Sequence, residues 1–309
     1  MTKFIQNFLV LGATLLVTLG IVELGLRYFM PIDYRPPPSE LAYVGRETIY
    51  QTSTSPGLDY ELKPNVEALA QGVRVTTNSY GMRDDEPLPG NRERIVVIGD
   101  SFTFGFGVPQ EEIFPILLEQ KLNSLEDRYD VLNLSVAGYT IQDEVNILRS
   151  KGLSWNPDTV IIGYVLNDPE IEPVQELPSY FDEPHWWQYS HVLRLVARGV
   201  KKTQINLYGG GDYYQYLHAN QTTWQSVVTG FKEMRGMVAE HDTKVIVLIF
   251  PILDYPWEAY PYLTIHQQVA ALAEENGFMV VDLYNYMAEY PPPRFKSVPA
   301  RWTSQCPGP

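Results

Sequence analysis

The feature that most constrains the fold is a short apolar segment followed by a glycine-containing turn and then by helical spacing. Residues Ile95–Ile98 read Ile-Val-Val-Ile, which is typical of a parallel strand buried on both faces. The turn Gly99-Asp100-Ser101 follows, and apolar residues recur at helical intervals from Glu111 to Leu122. Ser101 is therefore expected just beyond the carboxyl end of a buried strand, where open α/β sheets bind ligands. The same tripeptide is also common in ordinary turns, so other segments must decide between the two interpretations.

The rest of the chain repeats this alternation of strands and helices. Further strands are predicted at Asp130–Leu134, Thr159–Val165, Lys244–Phe250 and Phe278–Leu283, and further helices at Ile141–Gly152, Trp224–Glu240 and Tyr262–Asn276. The pattern predicts an α/β fold, with a doubly wound, mostly parallel five-stranded sheet and helices on both faces. Residues 170–222 interrupt this alternation of strands and helices. We interpret them as an insertion, helical from His191 to Lys202, that lies over the sheet edge or the mouth of the site.

The amino terminus has the composition of a membrane anchor. The stretch from Phe4 to Met30 is apolar enough and long enough to span a bilayer, and Glu23 and Arg27 are spaced so that they can pair. A cleaved signal peptide is the alternative, but no small-x-small cleavage site follows, which favours an uncleaved anchor with the main domain exported. We assign residues 1–30 to the anchor, 31–93 to a linker and an N-terminal extension, and 94–309 to the main domain.

Composition excludes several classes of function. The formal net charge is −14 and the pI is near 4.8, which argues against a nucleic-acid-binding protein, because phosphate binding needs basic patches. The one cysteine, Cys306, rules out an intrachain disulfide framework or a cysteine metal site. We expect neither a metal nor an organic cofactor.

Three predicted strand ends carry glycine or polar residues: Ser101, Gly138 and Asn167 each follow a different strand. The carboxyl ends of parallel strands meet at one edge of a sheet, so these residues are expected to gather there. Acyl transfer needs this combination, namely a nucleophilic oxygen and N–H donors directed at the developing oxyanion. Ser101 supplies the hydroxyl, Gly138 a backbone N–H, and Asn167 a side-chain N–H.

Here the sequence resembles the SGNH/GDSL hydrolase family. The matching motifs are Gly99-Asp100-Ser101-Phe102-Thr103-Phe104-Gly105, Asn133-Leu134-Ser135-Val136-Ala137-Gly138-Tyr139 and Gly163-Tyr164-Val165-Leu166-Asn167-Asp168. The resemblance implies a flavodoxin-like fold, a Ser101 nucleophile, and an oxyanion hole made by Ser101, Gly138 and Asn167. It also implies hydrolysis of an ester of an acylated carbohydrate or lipid. The Glu-Leu-Gly-Leu-Arg ending of the apolar stretch is similar to membrane-anchored bacterial members, which implies an inner-membrane protein with an extracytoplasmic, for example periplasmic, domain.

The family's general base is the one catalytic element for which this sequence shows no counterpart. Family members carry Asp-x-x-His after the fifth strand, whereas this chain has no histidine after His266. The histidines at positions 185, 191, 218, 241 and 266 each have an ordinary structural explanation, and none has an aspartate at the family's spacing after the fifth strand; Asp182 precedes His185 by three residues, but both lie in the insertion. Either residues 288–309 are a truncated or aberrant end, which we favour, or the chain is a natural member that lost hydrolysis. We therefore expect an impaired serine esterase or deacetylase.

A function of another class is also open. The chain could be a noncatalytic binding or assembly component of an envelope-polysaccharide system. Aromatic residues of the insertion could then stack on sugars: Trp186, Trp187, Tyr213, Tyr214 and Tyr216. Ordinary packing within the insertion is the interpretation we favour for them.

Overall fold

The computed structural model describes residues 2–29, 49–70, 72–171 and 186–289. The proline-rich linker, His185 and the chain end from residue 290 lie outside these ranges, so expectations about them are not addressed by the structure. Within the described ranges there are nine helices, four short 3-10 segments and nine strands.

Helix α1 (Thr2–Phe29) is the N-terminal apolar segment. Residues Lys3–Phe29 have a mean hydropathy of 2.2 over their most apolar window, and none of that window is buried against the rest of the chain. The helix is therefore long and apolar enough to cross a membrane, although a signal sequence has the same properties.

The main domain is built on a parallel sheet of five strands: β5 (Glu93–Gly99), β6 (Tyr129–Asn133), β7 (Thr159–Tyr164), β8 (Lys244–Ile249) and β9 (Met279–Asp282). The strand order is β6-β5-β7-β8-β9. In register, Val97 lies opposite Asn133 on one side and Ile161 on the other. This is the predicted five-stranded parallel sheet, and it places β5, which precedes Ser101, next to β6 and β7.

Helices cover both faces of this sheet. The helices that follow α1 are α2 (Ser101–Phe104), α3 (Phe114–Leu125), α4 (Ile141–Ser150), α5 (His191–Gly209), α6 (Tyr213–Ala219), α7 (Gln221–Ala239), α8 (Leu263–Glu275) and α9 (Tyr284–Met287). Alternate residues of β5 point to opposite faces. Val96 and Ile98 join the large core beneath α4, α7 and α8, while Ile95 and Val97 join a smaller cluster beneath α3. This confirms the prediction of helices on both faces.

On the face of the sheet that α3 covers, the last two strands, β8 and β9, carry apolar residues that are only partly buried. Ile246 and Leu248 are half-buried, and Met279 is exposed. A four-residue helix, α9, begins directly after β9 at Tyr284. The four-residue helix is too short to show a helical apolar pattern in the sequence.

The segment between β7 and β8 is more helical than predicted. Helix α5 continues to Gly209, past the predicted end at Lys202, and the tyrosine-rich stretch that follows, for which no helix is predicted, forms α6. The cause is a local capping signal, since Asp212 accepts a hydrogen bond from Gln215 N at 2.8 Å at the start of α6. A Cβ on Gly209 would lie 2.5 Å from Tyr216 N, so the glycine permits close packing of α6 on α5.

The N-terminal extension consists of two antiparallel hairpins. Strand β1 (Tyr50–Thr52) pairs with β2 (Tyr60–Leu62), and β3 (Glu67–Ala70) pairs with β4 (Val73–Thr76). Leu62 and Val75 are buried in the large core, so the hairpins are part of the same packed structure as the sheet.

Candidate active site

Ser101 is the first residue of α2, directly beyond the carboxyl end of β5. The sequence predicts an open turn here, with the next helix at Glu111, but a one-turn helix starts at once. Asp100 caps this helix, because its Oδ1 accepts a hydrogen bond from Phe102 N at 2.8 Å. The cap fixes the backbone on both sides of Ser101, which is itself half-buried.

Two glycines let α2 lie directly on the sheet. Gly99 and Gly163 are neighbours in register on β5 and β7. A Cβ at either position would overlap the Thr103 hydroxyl. Thr103 is buried, so α2 is held against the ends of these two strands. A larger residue at either strand end would displace Ser101.

Asn167 and Ser101 meet at one oxygen atom of Asp100. Asn167 follows β7 and its Nδ2 donates to Asp100 Oδ2 at 3.2 Å. Ser101 Oγ donates to the same Oδ2 at 3.3 Å. The Asn167 turn is itself closed by Asp168, whose Oδ2 accepts from Val165 N at 2.9 Å. Two of the three sequence-predicted site residues are thus adjacent, with a buried carboxyl group between them.

Gly138 lies in the loop after β6. This loop stays beside β5, because Val136 N donates to Gly99 O at 3.1 Å. Its φ is +89°, a backbone conformation that favours glycine. Tyr60, on β2, braces this loop by donating to Ala137 O at 2.9 Å. A Cβ on Gly138 would lie 2.6 Å from the Tyr60 hydroxyl. The sequence gives no signal for Tyr60, since the contact joins residues far apart in the chain.

Arg83 holds the loop that follows α2. Its side chain is fully buried, and Nη1 donates to Phe104 O at 2.8 Å and to Gly105 O at 2.6 Å, while Nη2 donates to Val108 O at 2.6 Å. Burial lowers the pKa of Arg83 to about 10, so the group remains a cation at neutral pH. Sequence reasoning missed it, because the carbonyl oxygens that it contacts lie more than 20 residues further along the chain.

Three carboxyl groups are buried behind Ser101. Burial raises the pKa of Asp100 to about 6, against hydrogen bonds from Phe102 and Asn167 that lower it. Burial also raises the pKa values of Glu144 and Asp168 well above the ordinary range, and the repulsion between these two groups and Asp100 adds to the effect. Both oxygens of Glu144 lack a hydrogen-bond partner. The Glu144 carboxyl therefore keeps its proton to a higher pH than an exposed glutamate does.

The four described histidines do not hydrogen-bond Ser101. His266 is buried, with Nδ1 at 2.8 Å from Asp282 Oδ1 and Nε2 at 2.8 Å from the Tyr260 hydroxyl. His218 is buried between the Tyr164 hydroxyl and Tyr214 O. It lies on α6.

Their surroundings explain why neither ring serves as a base in this arrangement. Because a carboxylate and a carbonyl oxygen can only accept, Nδ1 carries a proton in both rings, and Nε2 of each ring lies against a tyrosine hydroxyl. Burial lowers the pKa of His218 to about 4, which removes its basicity at neutral pH. The remaining two are His191, which contacts Glu23, and His241, which is exposed after α7.

The aromatic side chains of the 213–216 stretch pack within the protein. Tyr216 is buried, Tyr213 stacks on it at 6.2 Å, and Tyr214 meets Tyr262 edge-on at 5.4 Å. The Tyr213 hydroxyl donates to Glu170 at 2.9 Å. These contacts agree with the packing interpretation. Trp186 differs, since 79% of it is exposed.

Metal-ligating side chains do not cluster in the ranges the structure describes. Within them, no group of three or more histidine, cysteine, aspartate or glutamate side chains could hold a metal ion.

Comparison with known proteins identifies the family. The model of the GDSL-like Lipase/Acylhydrolase family matches residues 97–300. A comparison with curated protein sequences found no match. Similar solved structures include an acetylxylan esterase from Geobacillus stearothermophilus, with 19% identity over 65% of this chain and 80% of that one and a TM-score of 0.37.

Two further structures show a similar degree of likeness. LAE5, an alpha/beta hydrolase enzyme from the metagenome of Lake Arreo in Spain, is 18% identical over 65% of this chain and 83% of its own, with a TM-score of 0.39. A G-D-S-L family protein from Desulfitobacterium hafniense is 18% identical over 62% of this chain and 78% of its own, with a TM-score of 0.37. The family model covers well over half of the sequence, and the chain belongs to the GDSL-like lipase/acylhydrolase family.

Proposed function

We propose that the chain is a serine esterase or deacetylase in which Ser101 is the nucleophile. The observation that carries the proposal is the convergence of Ser101 Oγ and Asn167 Nδ2 on Asp100 Oδ2, at the carboxyl edge of the sheet. An amide nitrogen carries two protons. The hydrogen bond to Asp100 uses one and orients the group, so the second can be directed at a substrate oxygen.

In the proposed reaction, Ser101 Oγ attacks the ester carbonyl carbon and loses its proton to a base. The negative charge that develops on the carbonyl oxygen is stabilised by the backbone N–H groups of Ser101 and Gly138 and by the Asn167 side chain. The carbon–oxygen bond to the alcohol then breaks, and the alcohol leaves with a proton. Water hydrolyses the acyl-serine in the second half of the reaction. No step requires a metal or an organic cofactor.

We propose that the first step is slow in this chain because no described histidine nitrogen reaches Ser101. Among the described residues, the Ser101 hydroxyl donates to Asp100, which also accepts a hydrogen bond from Asn167. Within the family the activity implies ester substrates, and we propose an acylated carbohydrate or lipid. The apolar helix α1 supports a membrane-anchored protein, with the α/β domain on the extracytoplasmic side of a bacterial inner membrane.

The test uses the full chain in detergent and two readouts. A fluorophosphonate should label Ser101, and Ser101→Ala should abolish labelling. Hydrolysis of p-nitrophenyl acetate by the wild-type chain should be weak and should increase with added imidazole, which can supply the missing base. The Ser101→Ala variant measures the reaction of imidazole itself with the ester and is subtracted.

A wild-type chain that matches Ser101→Ala in both readouts would remove the esterase proposal. That outcome would favour the second candidate, a noncatalytic component of an envelope-polysaccharide system. The observation that favours this candidate is the absence of a histidine contact to Ser101 within the described residues. If Ser101 were labelled but imidazole did not increase the hydrolysis rate, Ser101 would be accessible and would already have a base. That outcome would overturn the proposed impairment.

A further inference from the structure

Helix α5 carries a stripe of apolar side chains on its outward face. Leu193, Val196, Val200 and Leu207 are between 36% and 75% exposed. Their intervals of three, four and seven residues place them on one side of the helix. The opposite side contacts the protein, where His191 and Arg194 are buried. Isolated exposed apolar residues are normal, but a stripe that runs the length of a helix needs a partner.

The charge of α5 is opposite to that of the whole chain. Its sequence from residue 191 to 209 contains four basic residues and no acidic one, while the chain has a net charge of −14. Of the four, Arg198 and Lys202 are exposed and Lys201 is half-buried, whereas Arg194 is buried. An apolar face combined with basic residues elsewhere on the helix is typical of helices that lie in the interface of an anionic membrane. The same positive charge disfavours pairing of two α5 stripes in a symmetric dimer.

The amino end of α5 is bound to the carboxyl end of α1. Glu23 accepts hydrogen bonds from His191 N at 3.1 Å and Val192 N at 3.0 Å, and thereby caps α5. Arg27 Nη2 donates to Tyr189 O at 2.7 Å. At a rise of about 1.5 Å per residue, Glu23 lies about 30 Å along α1 from its first residue, which is the thickness of a bilayer's hydrocarbon core. The contact would therefore hold α5 at the membrane surface.

We propose that α5 lies on the bilayer of an anionic membrane, with its stripe of Leu193, Val196, Val200 and Leu207 among the acyl chains. The proposal rests on the membrane anchoring by α1 proposed above. Insertion of α1 and contact of α5 with the bilayer together fix the orientation of the α/β domain relative to the membrane. A single flexible anchor does not do so. Trp186, which precedes α5 and is exposed, has the amphipathic ring that membrane interfaces favour.

The test places an environment-sensitive nitrobenzoxadiazole label at single cysteines in the full chain. The background is Cys306→Ser, and the chain is reconstituted in vesicles of phosphatidylethanolamine and phosphatidylglycerol. Val196→Cys and Val200→Cys report on the stripe, Asn206→Cys reports on an exposed polar position of the same helix, and Leu16→Cys reports on the anchor. Each sample is quenched separately by doxyl-labelled lipid and by aqueous iodide.

The stripe positions should lose most of their fluorescence to the lipid quencher and little to iodide, whereas Asn206→Cys should show the reverse. Stripe positions as open to iodide as Asn206→Cys would overturn the proposal. Protection from both quenchers would overturn it too, since that result means a protein partner or a second copy. Lipid quenching at Leu16→Cys separates these outcomes from failure of the anchor, because without it the chain is not inserted.

Discussion

Asn167 Nδ2 lies 3.2 Å from Asp100 Oδ2, so the ends of β7 and β5 are joined by a side-chain hydrogen bond at the edge of the sheet. The same oxygen accepts from Ser101. A buried aspartate therefore orients both the proposed nucleophile and the proposed oxyanion donor.

Replacing this donor should slow acylation. We expect Asn167→Leu, which keeps the size of the side chain and removes its N–H groups, to lower the imidazole-supported rate by about 10²-fold, the cost of one lost oxyanion donor. The rate is measured with p-nitrophenyl acetate. Asn146→Leu removes an amide that donates to Gly57 O and should leave the rate unchanged. Equal rates in both variants would exclude Asn167 from the reaction.

Gly138 and Tyr60 should be energetically coupled. Gly138→Ala introduces a Cβ at 2.6 Å from the Tyr60 hydroxyl and a side chain at φ +89°, and the conformation alone costs about 1–2 kcal/mol. Tyr60→Phe loses a hydrogen bond worth about 1 kcal/mol but removes the overlapping atom. We expect the double variant to be more stable than the sum of the single effects predicts, as measured by thermal unfolding.

Gly72→Ala is the matched control for this cycle. Its φ is +77°, but no atom lies within 4 Å of the added Cβ. It should lose stability through strain alone and show no coupling to Tyr60→Phe. Additive effects at Gly138 would mean that the loop moves away from Tyr60 at little cost.

Removing the Arg83 guanidinium should destabilise the site loop. Arg83→Met leaves three buried or half-buried carbonyl oxygens without their donor, and hydrogen bonds to a charged group contribute about 1.5–3 kcal/mol each. We expect a clear drop in Tm and slower labelling of Ser101. Arg74→Met removes an exposed pair with Glu67 and should change little. Wild-type Tm in Arg83→Met would contradict this role.

The buried Glu144 should give a pH-dependent stability. Its folded pKa is raised, so the folded chain keeps a proton that the unfolded chain releases above its ordinary value of 4.5. The free energy of unfolding then falls as pH rises above that value, by up to about 1.4 kcal/mol per unit. Glutamine does not titrate, so the Tm of Glu144→Gln minus the Tm of wild type should increase as the pH rises above 4.5. Glu274→Gln, at an exposed position, is the control for the loss of a surface carboxylate.

Supplying a base should restore turnover. We expect replacement of residues 290–309 by a family segment carrying Asp-x-x-His to raise ester hydrolysis by about 10²–10⁴-fold, the usual contribution of a general base. The control is the same segment with alanine in place of its histidine. If both segments gave the same low rate while Ser101 remained open to a phosphonate, the missing histidine would not be the cause.

Much of the fold follows from local pattern. The continuous apolar run of β5, the short turn after it, and the helical spacing of α4, α7 and α8 are each contained in a few consecutive residues. Right-handed crossovers between parallel strands then bring the strand ends to one edge. The positions of Ser101, Gly138 and Asn167 near that edge are predictable for this reason.

The supporting contacts are not predictable in this way. Arg83 reaches Phe104 O, Tyr60 reaches Ala137 O, and His266 reaches Asp282 only after the chain has folded. None of these pairs has a spacing that local sequence rules recognise. The helices α2 and α6 were also missed, because four and seven residues are too few to establish an apolar period and their capping aspartates also fit a turn.

By itself, the sequence determined the order of strands and helices, the apolar N-terminal segment and the three residues at the strand ends, because periodicity and turn chemistry act over a few neighbouring residues. Only the tertiary structure decided which groups surround Ser101. Burial of Asp100, Glu144 and Asp168, the donors from Arg83, and the enclosure of His266 and His218 depend on residues brought together from distant parts of the chain.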